Sequence, residues 1–135
     1  MDANEIHRIL SRSEIFRDVR SSDLRHLLDN AAVDDWEHGE TVIREHGEPF
    51  GFYVVLDGKA RVVIGGAVVS ALGVGDTFGE SSLLGGGTRT ASVIADGPMR
   101  TLAIRRLSFL ALVEANPAFG QRVAAQARER TKSDS

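Results

Sequence analysis

From residue 34 the apolar residues stop recurring at helical spacing and fall into short β-branched or aromatic runs separated by glycines. "ETVIREHGE", "FYVVLDGKARVVI", "AVVSALGVGD", "RTASVIA" and "MRTLAIR" each read as strand material. Asp57-Gly58 and Gly65-Gly66 are hairpin signals, and Asp96-Gly97-Pro98 is a further turn. Many short strands joined by tight turns imply an antiparallel sandwich or barrel. Helical spacing holds on either side. Ile6, Ile9 and Leu10 follow Asp2 as a short amphipathic helix. In "SSDLRHLLDNAAV", Ser21 or Ser22 caps a second helix whose stripe is Leu24, Leu27, Leu28 and Ala31. After Arg106, "LSFLALVEAN" stops before Pro117, and a last helix runs from Pro117 to about Arg130. Phe119, Val123, Ala127 and Arg130 share its inner stripe, and the final "TKSDS" is expected to fray.

The expected fold is mainly β with flanking α: an eight-stranded, jelly-roll-like antiparallel β-roll between N-terminal and C-terminal helices. The chain of 135 residues is read as one domain. It divides into a helical segment over 1–33, the roll over 34–106 and C-terminal helices over 107–131. No cysteine is present, which excludes disulfides and thiolate zinc sites. The start "MDANEIHRIL" has no signal-peptide core, and no apolar run approaches a membrane span, so a cytoplasmic protein is expected. Residues 1–50 carry a net charge of −6 and residues 51–135 a net of +3. A mildly acidic whole lacks the dense basic face that broad nucleic-acid binding needs.

One stretch is unlike a structural strand or turn. "FGESSLLGGGTRTASV" (78–93) places one carboxylate, Glu80, and one guanidinium, Arg89, on either side of three consecutive glycines. A helical turn over "ESSLL" would present the backbone N–H groups of Ser81, Ser82 and Leu83 to an anion. The small side chains at 81 and 82 allow close approach. Arg89 can hold two phosphate oxygens at once. Glu80, an acceptor when ionised, can take a hydrogen bond from a sugar hydroxyl. A sugar hydroxyl and a phosphate within a few ångströms of each other define a nucleotide.

These residues resemble the phosphate-binding cassette of cyclic-nucleotide-binding domains, of the catabolite-activator and protein kinase A regulatory-subunit type. The family pattern is F-G-E-x-[AS]-L-[LI], four residues, then R-[TAS]-A-[ST]-V, and the spacing here agrees without a gap. "IFRDVRSSDLRHLLDNA" is similar to the family's N-terminal helical segment. "GETVIREHGEPFGFYVVLDGKARVV" resembles its first strands, with Gly39, Gly47 and Gly58 at turns, and "IRRLSFLALVEANP" resembles its hinge helix. The resemblance implies a ligand site formed by Phe78, Gly79, Glu80, Ser81, Ser82, Leu83, Arg89, Thr90 and Ala91. In it Arg89 holds the exocyclic phosphate oxygens and Glu80 the ribose 2′-hydroxyl. Gly79 and the N–H groups of Ser82 and Leu83 line sugar and phosphate, and Thr90 contacts the base. No aromatic residue is placed as a lid over the base, which leaves Arg128 or Arg130 as candidates through a cation–π contact.

Other readings are weaker. Asp76 reads as a turn residue, and Trp36, Phe52, Tyr53 and Phe78 as core and rim packing. A cupin-type metal enzyme needs a close histidine pair on one strand. The histidines at 7, 26, 38 and 46 are scattered, with His38 and His46 eight apart across a turn. Neither catalytic residues, nor a metal, nor a cofactor is therefore expected. A degenerate fold kept for protein–protein contact is the alternative, and the intact Glu80 and Arg89 argue against it. The chain stops where the DNA-reading segments of transcription factors of this type would start, so direct DNA contact is not expected. The expected function is a cyclic-nucleotide sensor, with cyclic AMP ahead of cyclic GMP, whose C-terminal helices act on an effector domain or protein partner. A homodimer is compatible with this reading.

Overall fold

The computed structural model describes residues 1–44, 51–79 and 91–134, with 127–134 described by their helical backbone. Asp2 starts the first helix, α1 (Ala3–Arg12), by accepting from the Glu5 N–H. Ile6 and Leu10 are its buried stripe. A 3₁₀ turn (Glu14–Phe16) buries Ile15 and Phe16 and leads to α2 (Ser21–Asp29). Arg20 occupies the N-cap position of α2 without a side-chain cap bond, so neither serine caps it.

Among the described residues eight strands follow: β1 (Ala31–Trp36), β2 (Thr41–Ile43), β3 (Gly51–Asp57), β4 (Ala60–Ile64), β5 (Ala67–Leu72), β6 (Thr77–Phe78), β7 (Ser92–Ala95) and β8 (Met99–Arg105). The first begins at Ala31, three residues before the change of period. Ala31 therefore belongs to the sheet and pairs with Ile104, rather than ending the α2 stripe. The strands form two four-stranded antiparallel sheets, in the orders β1-β8-β3-β6 and β2-β7-β4-β5. Gly65 and Gly66 close a two-residue hairpin between β4 and β5 with positive φ at both positions, as expected.

Asp57-Gly58 is a different device. β3 and β4 lie in separate sheets, so this turn carries the chain from one sheet to the other and closes no hairpin. A hairpin needs its strands to pair, and here β3 pairs with β8 and β6. Gly58 has φ +82, and a Cβ there would sit 2.3 Å from the Pro98 carbonyl oxygen. Asp96-Gly97-Pro98 makes the return crossing from β7 to β8, so the two crossings pack backbone against backbone. Gly58→Ala is expected to cost about 1–3 kcal/mol through left-handed strain and overpacking. Urea unfolding measures it, and a loss below about 0.5 kcal/mol would contradict this tight approach.

The run "FYVVL" is apolar throughout because β3 is covered on both faces. Phe52, Val54 and Leu56 face the helices and join Leu102, Ile104, Leu10, Phe16, Leu24 and Phe109 in one core. Val55 and Tyr53 face the interior of the roll, with Ile43, Val62, Leu72, Phe78, Val93 and Met99. Trp36 donates its indole N–H to Thr101 Oγ1 at 2.9 Å. On the solvent side, Arg100 donates to Asp35 at 2.6 and 3.2 Å. That hydrogen bond holds the Asp35 carboxyl below its usual value. Both groups are exposed, so salt screens the pair.

α3 (Arg106–Ala115) and α4 (Pro117–Asp134) complete the chain. The break falls where the residue before proline resists helix. Asn116 caps α4 by accepting from the Phe119 N–H at 3.1 Å. α4 runs on to Asp134, so "TKSD" continues the helix where fraying was expected. Phe119 and Val123 are fully buried, whereas the side chains of Ala127 and Arg130 lie outside the described residues. Gly120 costs about 1 kcal/mol in helix propensity. It also permits close packing, since a Cβ there would lie 2.8 Å from Val113 Cγ1 of α3.

Candidate functional site

β6 ends at Phe78, where the cassette stretch of the sequence begins. Phe78 is buried and stacks on Tyr53, with ring centroids 5.0 Å apart and planes within 8°. Both act as packing residues, as expected, and they wall the interior beside the cassette. Gly79 follows with φ +94, a conformation that glycine adopts at no steric cost. On the far side of the cassette Ala91 packs against the interior core, and Ser92 opens β7. β6 belongs to one sheet and β7 to the other. Residues 80–90 therefore connect a strand of one sheet to a strand of the other along the chain.

Of the expected site residues, Phe78 and Gly79 thus lie just before the cassette segment and Ala91 just after it. Glu80, Ser81, Ser82, Leu83, Arg89 and Thr90 lie outside the described residues, as do Gly47, His46 and the side chains of Arg128 and Arg130. The other histidines have ordinary surroundings. His26 and His38 are exposed and His7 is half-buried. Nδ1 of His38 accepts the Gly97 N–H at 2.8 Å, tying the β1–β2 turn to the second sheet crossing. Among the described residues no group of three metal-ligating side chains converges. Asp76 is the turn residue it was read as, accepting the Gly73 N–H at 2.8 Å.

Two residues near the cassette were not singled out from the sequence. Thr77 is buried on the face of β6 opposite Phe78, toward the helices. Gln126 of α4 donates to Thr77 Oγ1 at 2.6 Å. Positions 119, 123 and 126 follow the i, i+4, i+7 spacing of one helix face, but that spacing reads as an apolar stripe and does not by itself single out an amide. One turn earlier, Arg122 donates to the Ile15 carbonyl at 3.0 Å and to both carboxylate oxygens of Asp18. These bonds seat α4 between the N-terminal 3₁₀ turn and the strand that leads into the cassette.

A two-sheet antiparallel roll flanked by helices, with a glycine-rich stretch carrying one acid and one arginine between β6 and β7 in the sequence, defines a class of β-roll domain. Residues 34–116 match the profile of the cyclic nucleotide-binding domain, and the chain belongs to this family. It is 33% identical over 111 residues to the cGMP-dependent 3′,5′-cGMP phosphodiesterase A of Dictyostelium discoideum, covering 82% of this chain and 13% of that protein. The chain thus spans a small part of the length of the curated relatives it matches. Its fold is similar to cAMP-bound PfPKA-R, with a TM-score of 0.88 and 25% identity over 96% of this chain and 45% of that one. The Thermus thermophilus catabolite activator protein is similar with a TM-score of 0.77 and 28% identity, over 89% and 59% of the two chains. No helix among the described residues is long and apolar enough to cross a membrane.

Proposed function

We propose that the chain is a regulatory module that binds cyclic AMP in preference to cyclic GMP and repositions its C-terminal helices in response. The observation that carries this reading is the cassette pattern: "FGESSLL", four residues and "RTASV", which runs from β6 into β7 along the chain. Arg89 binds the exocyclic phosphate oxygens through its planar fork. Glu80 accepts from the ribose 2′-hydroxyl. The N–H groups of Ser82 and Leu83 complete the phosphate site, and Thr90 meets the base. The base edge is covered from α4 by Arg128 or Arg130. Output follows from packing. The cyclic phosphate draws the cassette inward, Leu83 or Leu84 shifts, and α3 follows through Phe109, Leu110 and Leu112. The ligand moves this equilibrium only by its differential affinity for the two arrangements. An effector domain or protein partner would read the helices, in the cytoplasm.

Both nucleotides occur among the similar proteins, since one is named for cGMP and another was solved with cAMP. The preference for cyclic AMP rests on its being the commoner ligand of the family. Calorimetric titration with the two nucleotides side by side tests it. At a hundredfold excess over its dissociation constant, the bound nucleotide should add about 2.7 kcal/mol of stability. Absence of any melting-temperature shift at millimolar concentration of either nucleotide would overturn the reading and favour a fold kept for protein contact.

A further inference from the structure

We infer that Gln126 and Thr77 form a polar latch that registers α4 to the strand leading into the cassette, making Gln126 a positioning residue for the nucleotide site. The inference rests on the proposed function and adds the contact through which the helix and the cassette sense each other.

β6 is two residues long and lies at the edge of its sheet, in register with β3 through Tyr53↔Phe78 and Val54↔Thr77, and Val55 of β3 also bonds the backbone of Gly75 and Asp76 just ahead of it. So short an edge strand has few ladder bonds, and its side chains help decide where it sits. The two side chains point to opposite faces. Phe78 stacks on Tyr53 inside the roll, and Thr77 faces the helices beside Val54. A displacement of Thr77 therefore shifts Phe78 and Gly79, the last described residues before the cassette.

α4 reaches this point with one amide. Gln126 Nε2 lies 2.6 Å from Thr77 Oγ1 and 3.5 Å from the Thr77 carbonyl oxygen. The hydroxyl is buried, so its hydrogen bond forms in low dielectric, where orientation matters most. The rest of α4 is held elsewhere. Phe119 and Val123 pack in the helix-side core, and Arg122 is fixed to Ile15 and Asp18. Among these described contacts only Gln126 touches the strand next to the cassette. It also lines an open groove of about 330 Å³ with Ile9, Arg12, Val74 and Asp76. That groove gives the amide a solvated space to turn into when the bond opens, so the latch is reversible without breaking the apolar stripe.

Thr77→Val keeps the shape and removes the hydroxyl, Thr77→Ser keeps the hydroxyl, and Gln126→Leu removes the donor from a side chain that borders solvent. Without nucleotide, hydrogen exchange of amides 119–126 should speed about three- to tenfold in Thr77→Val and Gln126→Leu, and stay at the parent rate in Thr77→Ser. Exchange in β3 and β8 should not change, which separates an open latch from a damaged roll. With cyclic AMP bound, dissociation of a fluorescent analogue should accelerate by a similar factor in Thr77→Val and Gln126→Leu and stay at the parent rate in Thr77→Ser. The effect of the Thr77→Val/Gln126→Leu double variant should fall short of the product of the two single effects, because both changes remove the bond they share. Unchanged helix exchange in both single variants would overturn the latch. Faster exchange with unchanged nucleotide dissociation would overturn the positioning role and leave a passive clasp. If the parent bound neither nucleotide, the proposed function would fail, and the role of Gln126 in nucleotide binding would fall with it. The exchange measurement would then still decide whether the bond holds the helix.

Discussion

Arg89→Ala is expected to weaken cyclic AMP binding about thirtyfold to several thousandfold, equivalent to about 2–5 kcal/mol. The proposed contact is a charge-assisted fork on a phosphate partly withdrawn from water. Removing one partner of such a pair costs both the bond and the solvation of the partner left behind. The spacing that assigns this role to Arg89 is fixed by the sequence on either side. Phe78 and Gly79 precede the cassette at β6, and Ala91 follows it ahead of β7. Arg89→Lys keeps the charge and loses the planar fork, so it should recover little of the loss. Calorimetric titration of the three proteins measures this directly. A lysine variant that bound like the parent would refute two-point phosphate recognition, and an alanine variant that bound like the parent would remove Arg89 from the site.

The sequence showed where the strands lie more clearly than how they pair. β3 was legible because "FYVVL" is apolar without interruption, and the reason is that both of its faces are covered. Gly65-Gly66 was legible because two positive φ values in succession are nearly a glycine privilege. Asp57-Gly58 carries a similar local signal yet crosses between sheets. Positive φ at Gly58 serves a close approach to Pro98, and local chemistry does not reveal which strand waits beyond a turn. Ala31 misled for a related reason. Alanine fits a helix stripe, but its pairing with Ile104 across the sheet outweighs that weak propensity. Gly120 was legible as a weak point of the last helix. Its use, letting α4 approach Val113 of α3, needs the partner helix to be visible. The cassette pattern expects Phe78, Gly79 and Ala91 beside the ligand, and they lie at the end of β6 and just ahead of β7. Gln126 was not legible, because an amide on an apolar stripe gains meaning only from Thr77, 49 residues away in the chain.

Phe109→Ala should be the most damaging core substitution of the output region. Phe109 is fully buried on α3 and touches the two rings that matter most for the arrangement of the helices. Its centroid lies 4.8 Å from that of Phe52 on β3 and 6.0 Å from that of Phe119 on α4. Phe16 of the 3₁₀ turn closes the cluster, 5.3 Å from Phe119 and 6.4 Å from Phe52. Four elements thus each contribute one ring, and Phe109 stands between the sheet and the last helix. Truncation removes the ring contacts and leaves a cavity that the β3 backbone, paired on both sides, cannot collapse to fill. The expected cost is about 3–5 kcal/mol, a large part of the 5–15 kcal/mol typical of a whole domain. Urea unfolding of parent and variant measures it. Phe109→Leu fills most of the volume and should lose much less, about 1–2 kcal/mol. If Phe109→Ala lost under about 1 kcal/mol, the helices would not be keyed to the sheet through this ring. The shift of α3 proposed to follow the cassette would then need another point of contact.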